Sequence, residues 1–376
     1  WIKADYIAAH TTGFDTLKAL VRECTPERVA EVCGLRKEDI YTAAQWFATS
    51  HATLSLYCQG LNQSSSGTAK NATLINLHLA TGQIGKPGAG PFSLTGQPNA
   101  MGGREVGGLA NLLSAHRDLA NPQHRAEVAA LWGVPDVPAK PGLTAVEMFQ
   151  AAADGQVKAL WIACTNPAQS MPDQALVRRA LERAEFVIVQ EAFATAATCD
   201  YADLLLPAAS WGEKEGTVTN SERRVSHVRR AVPAPAEARP DWSITCDFAR
   251  RLETLLRPGL PSLFDFPSAE ALFEEYKHLT AQRDLDLSGL SYALLDDQGP
   301  QQWPFPAGAT QGTPRLYGDA RYPTANGRAQ FHADPYRAPK EKREARFTLT
   351  LNTGRLRDQW HGMSRTGTAA RLFGHV

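Results

Sequence analysis

Three short apolar runs in this chain each end in a cluster of amide or carboxylate side chains. Residues 159–163 lead into Cys164-Thr165-Asn166-Pro167, residues 186–189 into Gln190-Glu191, and residues 52–57 into Gln59-Gly60-Leu61-Asn62-Gln63. Amides and carboxylates present the acceptors and paired donors that match base edges and sugar hydroxyls. Open α/β sheets bind their ligands beyond the carboxyl ends of the strands. Any one of these ends is ordinary turn chemistry, because Asn and Gly favour turns. Three of them together read as a nucleotide crevice.

Two further positions fit that chemistry. The run from Trp211 to Arg224 is dense in charge and hydroxyls and bounded by apolar ends and glycines, which predicts a loop wrapped on a ligand. Within it Lys214 is placed to meet a phosphate or a ring oxygen. Asp241 presents a carboxylate, the acceptor pair that a guanine edge requires. Its ordinary role would be to cap the helix that begins there, and the two roles are compatible.

Other chemistries are excluded or weak. Gly82-Gln83-Ile84-Gly85-Lys86-Pro87 imitates a P-loop, but Pro87 stands where the magnesium-binding hydroxyl belongs and the glycine spacing is short. There is no GxGxxG. Ser114, His116 and Asp118 are close in sequence, which is not triad geometry. Asn62-Gln63-Ser64 and Asn71-Ala72-Thr73 read as chance sequons.

The elements that must position these groups alternate. Thr25-Pro26-Glu27 starts a helix that Gly34 closes, and residues 37–48 form a second. A strand over 52–57 precedes a helix over 67–80. Strands at 159–163, 186–189 and 204–206 enclose a helix over 173–184, a pattern that predicts a parallel sheet. Helices follow over 241–256 and 269–279. Residues 82–108 hold nine glycines and three prolines. They are expected to form no regular element, yet Ile84, Phe92, Leu94 and Met101 predict an ordered loop. Residues 321–332 are expected to turn as a hairpin at Asn326-Gly327, and 347–351 to be a strand.

Composition bounds the class. The 376 residues carry 39 Lys and Arg against 39 Asp and Glu, so a general nucleic-acid binder is disfavoured. No apolar run approaches the roughly 20 residues a membrane-spanning helix needs. The six cysteines are scattered with no CxxC pair, which argues against a local zinc or iron–sulfur site and suits a reducing compartment. Starting at Trp1 and stopping at Val376, the chain is expected to be a fragment of something longer.

The residues resemble a known family. Gly60-Leu61-Asn62-Gln63-Ser64 and the stretch 76–108, with Thr81-Gly82-Gln83-Ile84-Gly85-Lys86-Pro87-Gly88 and Gly96-Gln97-Pro98-Asn99-Ala100-Met101-Gly102-Gly103-Arg104-Glu105-Val106-Gly107-Gly108, resemble the molybdopterin (DMSO reductase family) oxidoreductases. Cys164-Thr165-Asn166-Pro167, Gln190-Glu191-Ala192-Phe193, Tyr201 to Pro207, Trp211 to Arg224 and Asn352 to His361 follow in family order. Within the family, the likeness is to the catalytic subunits of bacterial assimilatory nitrate reductases. It implies an α/β architecture of Rossmann-like parallel-sheet domains plus the start of a C-terminal β-barrel-like domain. Residues 1–51 would end an upstream α/β domain, 52–280 bind a molybdopterin guanine dinucleotide, 281–345 connect, and 346–376 open the truncated C-terminal domain.

The resemblance also implies a site. Molybdenum would be held by two molybdopterin guanine dinucleotides, contacted by Gln59, Gln63, Gly96, Gln97, Asn166, Gln190, Glu191, Lys214 and Asp241. Thr353, Gly354, Arg355, Trp360 and His361 would lie in a loop covering the cofactor. Arg104 matches an arginine near the metal and is the candidate catalytic residue for steering an anion; a salt bridge to Glu105 is its ordinary alternative. The family's 4Fe-4S cysteines and molybdenum ligand would lie upstream of Trp1, so no metal ligand is expected here.

The implied reaction is two-electron reduction of nitrate to nitrite in the cytoplasm. Electrons would come from ferredoxin, flavodoxin or an NADH-linked reductase subunit, with no nucleic-acid or membrane partner. Formate dehydrogenase and periplasmic nitrate reductase are the neighbouring readings. Gly96-Gln97-Pro98-Asn99 and Arg104-Glu105-Val106-Gly107 favour nitrate over formate. Gln190-Glu191 and the run 212–220 favour the assimilatory type. The non-enzyme alternative is a molybdenum-free scaffold like the large iron–sulfur subunit of complex I, against which Gln63, Asn166, Lys214 and Asp241 argue.

Overall fold

The computed structural model describes residues 1–338 and, beyond them, 346, 347, 349, 351, 354, 359, 361–363 and 366–373. Two parallel sheets carry the polar strand ends. In the first, β1 (Leu54–Tyr57) pairs in parallel with β2 (Gly90–Ser93), and α1 (Gly67–Ala80) makes the crossover. In the second, β3 (Ala159–Ala163), β4 (Phe186–Glu191) and β5 (Leu204–Pro207) lie side by side in chain order, all parallel. Mixed α/β architecture with parallel sheets is thus what the alternating pattern predicts.

The second sheet is covered on both faces. Leu160 and Ile162 of β3 and Val187 and Val189 of β4 alternate toward a helix over Ala145–Ala153 and α2 (Gln174–Arg183). Alternation with period 2 puts Trp161 on the other face, where its ring meets Phe248 of α3 (Asp241–Leu256) edge-on at 4.7 Å. α2 buries Leu176, Val177, Ala180 and Leu181, one stripe of a helix whose Asp173 side chain accepts from the Leu176 N–H at 3.1 Å. Each fully buried Leu or Val contributes about 1.5–3 kcal/mol. The helix over 145–153 begins at a capping box that pairs Thr144 with Glu147, a Thr-x-x-Glu signal that marks a helix start in the sequence.

The first sheet is covered on one face only. Ser55 faces α1, where the fully buried His78 meets its hydroxyl at 2.8 Å, while Leu54 and Leu56 are exposed. Burial without a charged partner pushes the His78 pKa down to about 4, so this ring is neutral at ordinary pH.

Several expectations are corrected. Residues 82–108 are not wholly irregular. Pro91 lies within β2, a strand whose ladder tolerates it at the sheet edge, and Ala100–Glu105 is a short helix. The run 211–224 is not one loop. Gly216–Thr219 pairs antiparallel with Arg224–Val228, because Thr and Val favour the pleat and Asn220 closes the turn. Residues 321–332 turn at Gly327 but form no hairpin: Ala329–Gln330 pairs in parallel with Thr11–Thr12. That pairing joins Ala329 and Phe331 to Ile7 and Leu79 in one small core.

The segment after 281 is poor in long periodic runs, with one short helix over Tyr292–Gln298, yet much of it is buried. Leu285, Leu287, Leu290 and Phe305 are at most 1% exposed and pack with Leu113, Val128, Val225 and Phe273. Turns anchored by the Asp286 carboxylate, which takes the Gln282 and Ser288 N–H groups, replace helical spacing there. Among the described residues no strand occurs beyond 330 and no closed barrel is present. No helix among them is long and apolar enough to cross a membrane.

Candidate functional site

At the carboxyl end of the second sheet, two sequence-predicted residues and one thiol converge on the carboxylate of a third, Asp241. Asp241 accepts from Lys214 Nζ at 2.6 Å and from Gln190 Nε2 at 2.8 Å, and the Cys164 thiol points to it at 3.6 Å. Gln190 is itself buried and accepts from Trp161 Nε1 at 3.2 Å. Lys214 lies 5.3 Å over the Trp211 ring. The Asp241 side chain makes no capping bond to its own helix, whose N-cap is Pro240. The capping role is therefore not used.

The electrostatics follow from those contacts. Burial opposes the charge on Asp241, but the bonds from Lys214 and Gln190 prevail and hold its carboxyl below the ordinary value. Protein crowding around the Cys164 sulfur, reinforced by the neighbouring Asp241 carboxylate, pushes that thiol up to about 11. Cys164 also has a left-handed backbone, φ 59°, which directs the chain from β3 into Asn166. Asn166 Oδ1 accepts from the Thr198 N–H at 3.1 Å and the Thr198 hydroxyl at 2.6 Å, and its Nδ2 donates to Gln169 Oε1. Gln169 Nε2 in turn donates to the Gly362 carbonyl at 2.6 Å, which brings Gly362 to the strand end. Glu191 follows Gln190 and accepts from the Ala192 N–H at 2.8 Å.

The end of the first sheet is different in kind. Gln59 lies in a single turn of helix, Gln59–Asn62, and Gln63 follows it; both side chains are exposed. Gly96 and Gln97 form the exposed link between β2 and the helix Ala100–Glu105. Arg104 is exposed on that helix and makes no salt bridge among the described residues. The alternative of a pair with Glu105 is not realised. Glu105 turns inward, only 2% exposed, and accepts from Trp303 Nε1 at 2.6 Å and from the Thr219 hydroxyl at 2.9 Å.

The strand that bears Thr219 starts two residues after Lys214, and its Thr219 N–H donates to Asn99 Oδ1 at 2.9 Å. It links the two sheet ends through one element. Thr219, Trp303 and Trp161 were missed as supporting residues. Only their coming together in the fold marks them, and no spacing in the sequence does. Thr353, Arg355 and Trp360, and the side chain of His361, lie outside the described residues; Gly354 is described and exposed. Ser114, His116 and Asp118 form no triad: His116 pairs with Asp284 at 2.8 Å and the Ser114 hydroxyl donates to the Val106 carbonyl. No cluster of three or more His, Cys, Asp or Glu suited to a metal occurs among the described residues.

The molybdopterin oxidoreductase family model matches residues 26–251, and the chain belongs to that family. It is 46% identical to a nitrate reductase of Synechocystis over 99% of this chain and 52% of that protein. It is 38% identical to the periplasmic nitrate reductase of Desulfovibrio desulfuricans, over 96% of this chain and 50% of that one. It is 36% identical to the assimilatory nitrate reductase catalytic subunit of Bacillus subtilis, over 99% and 52%. The chain spans about half the length of the curated relatives it matches. Among solved structures, acetylene hydratase from Pelobacter acetylenicus shares the fold, with a TM-score of 0.59 at 18% identity, covering 88% of this chain and 45% of that one.

Proposed function

We propose that this chain is part of the catalytic subunit of a molybdenum-dependent assimilatory nitrate reductase, carrying residues for a bis-molybdopterin guanine dinucleotide. The residues fit such a group. Gly60 and Gly103 sit in helical turns at negative φ, and a Cβ on either would meet nothing within 4 Å. Glycine in a helix costs roughly 0.5–1 kcal/mol relative to alanine. Neither packing nor backbone conformation in the chain explains them, whereas the close approach of an anionic ligand to backbone N–H groups does. Gln59, Gln63, Gly96 and Gln97 would hold one half of the cofactor. Asn166, Gln190, Glu191, Lys214 and Asp241 would hold the other, with Asp241 facing a guanine edge and Lys214 an oxygen.

The observation that carries the nitrate reading is Arg104, a guanidinium exposed beside the glycine turn with its adjacent acid turned away. It binds and orients an oxyanion and stabilises charge leaving with nitrite. When bound, the cofactor supplies two-electron and oxygen-atom exchange at the metal. In balance, nitrate with two electrons and two protons gives nitrite and water. Electrons would enter through a 4Fe-4S cluster supplied by sequence outside these residues, from ferredoxin, flavodoxin or an NADH-linked subunit. The isolated 376-residue chain would then be inactive.

Molybdenum analysis of the full-length protein, together with nitrate-dependent oxidation of reduced methyl viologen, tests this reading. Stoichiometric metal and nitrite formation are expected. A metal-free protein, or one active on formate and silent on nitrate, would sink it. Activity in the periplasmic rather than the cytoplasmic fraction would exchange the assimilatory for the periplasmic type.

A further inference from the structure

Arg104 stands on a helix of only six residues, Ala100–Glu105, with glycines at 102 and 103. So short a helix has little stability of its own. Something must fix it if an exposed guanidinium on it is to meet an anion with useful geometry. The neighbour Glu105 provides that anchor. Its two carboxylate oxygens are each taken by one donor, Trp303 Nε1 at 2.6 Å and the Thr219 hydroxyl at 2.9 Å. Its carbonyl accepts from the Ala115 N–H at 2.7 Å. All three side chains are at most 5% exposed. No cation lies within salt-bridge distance of Glu105 among the described residues, so its direct contacts are hydrogen bonds, with His116 and Arg104 acting on it only at longer range. Burial of this kind costs several kcal/mol unless fully satisfied. An apolar residue would fill the space at lower cost.

We propose that Glu105 is a positioning residue for Arg104: its bonds to Trp303 and Thr219 fix the turn that presents the guanidinium to the substrate anion. The inference rests on Arg104 as the anion-facing group. Thr219 also ties the clamp to the strand that follows Lys214, so the two sheet ends share one anchor. Trp303 reaches the turn from the segment after 281.

The test uses the full-length holoenzyme. Glu105→Ala is expected to raise the nitrate KM at least tenfold with kcat changed less than threefold. Nitrate should also protect Arg104 from 2,3-butanedione at least fivefold less well, read by mass spectrometry of its peptide. Glu105→Gln is expected to stay within threefold of wild type on both readouts. Its amide oxygen still accepts from Trp303, and its NH₂ donates to Thr219, whose hydroxyl serves either role. Should Glu105→Ala fail to fold, Thr219→Val and Trp303→Phe each delete one bond, and each should raise KM about threefold.

Lowered thermal stability with unchanged KM and unchanged protection makes Glu105 merely structural and overturns the proposal. So does a Glu105→Gln protein as impaired as Glu105→Ala, which would give the charge, not the clamp, the role. The reading of Arg104 fails separately: in that case Arg104→Ala itself leaves nitrate kinetics unchanged.

Discussion

The two sheet ends share a topology and differ in preparation. Beyond β3 and β4, the polar side chains bind one another: Asp241 takes Lys214, Gln190 and Cys164, and Asn166 takes Thr198. Beyond β1 and β2, Gln59, Gln63 and Arg104 reach outward from turns that contain glycine. The first end is internally bonded, so a ligand there would exchange existing bonds for new ones. At the second end Asn62 bonds Ser93 and Asn71, while Gln59, Gln63 and Arg104 are exposed. Preorganisation lowers the entropy lost on binding, so the first end suits tight retention of a permanent group. At the second end the exposed guanidinium of Arg104 suits a small anion that must enter and leave, beside the glutamines proposed for the cofactor.

The difference is broken most strongly at Arg104. In the full-length enzyme Arg104→Ala is expected to lower nitrate kcat/KM by about 10²-fold, the usual scale for a lost charge-stabilising donor. The melting temperature should stay nearly constant, since an exposed residue without a salt bridge contributes within about 0.5 kcal/mol. A large loss of stability would show that this end is prepared after all. Cys164 tests the other end with a comparable factor. Its residue is exposed, yet its pKa is raised from 9.0 to about 11, so alkylation by iodoacetamide at pH 8 should run about 10²-fold slower than for an ordinary thiol. Asp241→Asn should remove part of that protection.

Asp241 comes next. Asp241→Ala strands Lys214 and Gln190 and is expected to cost about 2 kcal/mol in urea unfolding. Full burial would cost about 3–5 kcal/mol, and roughly a third of this side chain is exposed, so solvent reduces the figure. The pH dependence has a definite sign. The folded-state pKa of Asp241 is depressed, so its contribution is complete above the ordinary value of 3.8 and is lost as pH falls through the folded value. The gap between wild type and Asp241→Asn should therefore be constant from pH 5 to 7 and close only in strong acid. A gap that closed near neutrality would mean that Asp241 is not held by Lys214.

Much of this was legible in the sequence because the signals were local. Alternating apolar runs and capped helices placed β3, β4 and α2, strand-end polarity brought Asn166 and Gln190 forward, and the charged run 211–224 and a carboxylate at a helix start brought Lys214 and Asp241. Hidden were contacts that join distant segments. Apart from the short helix Tyr292–Gln298, residues 281–338 show no period, so neither the burial of Leu285, Leu287 and Phe305 nor the reach of Trp303 to Glu105 could be read. The Asn326-Gly327 turn was visible, but its strand partner at Thr11–Thr12 lies more than 300 residues away, beyond any turn rule. Glycine density over 82–108 hid β2 for the same reason: pairing with β1 decides it, not propensity.

The smallest expected effect separates the two ends most cleanly, because its sign changes with the ligand. Gly85 and Gly107 have structural reasons: positive φ, and backbone within 3 Å of where a Cβ would sit. Gly60 and Gly103 have neither. Gly103→Ala should therefore stabilise the ligand-free protein by about 0.5–1 kcal/mol, as alanine does in any open helical position. In the full-length protein the same substitution should lower molybdenum content, since the added methyl group would occupy the space proposed for the cofactor. Gly60→Ala should behave alike. A matched control exists at Gly34, which also faces open space but has φ 65°, so alanine there should destabilise slightly without changing metal content. If Gly103→Ala stabilised the protein and left molybdenum content intact, the open space beside Arg104 would be mere surface, and the contrast between the ends would reduce to a prepared site beside an unoccupied face.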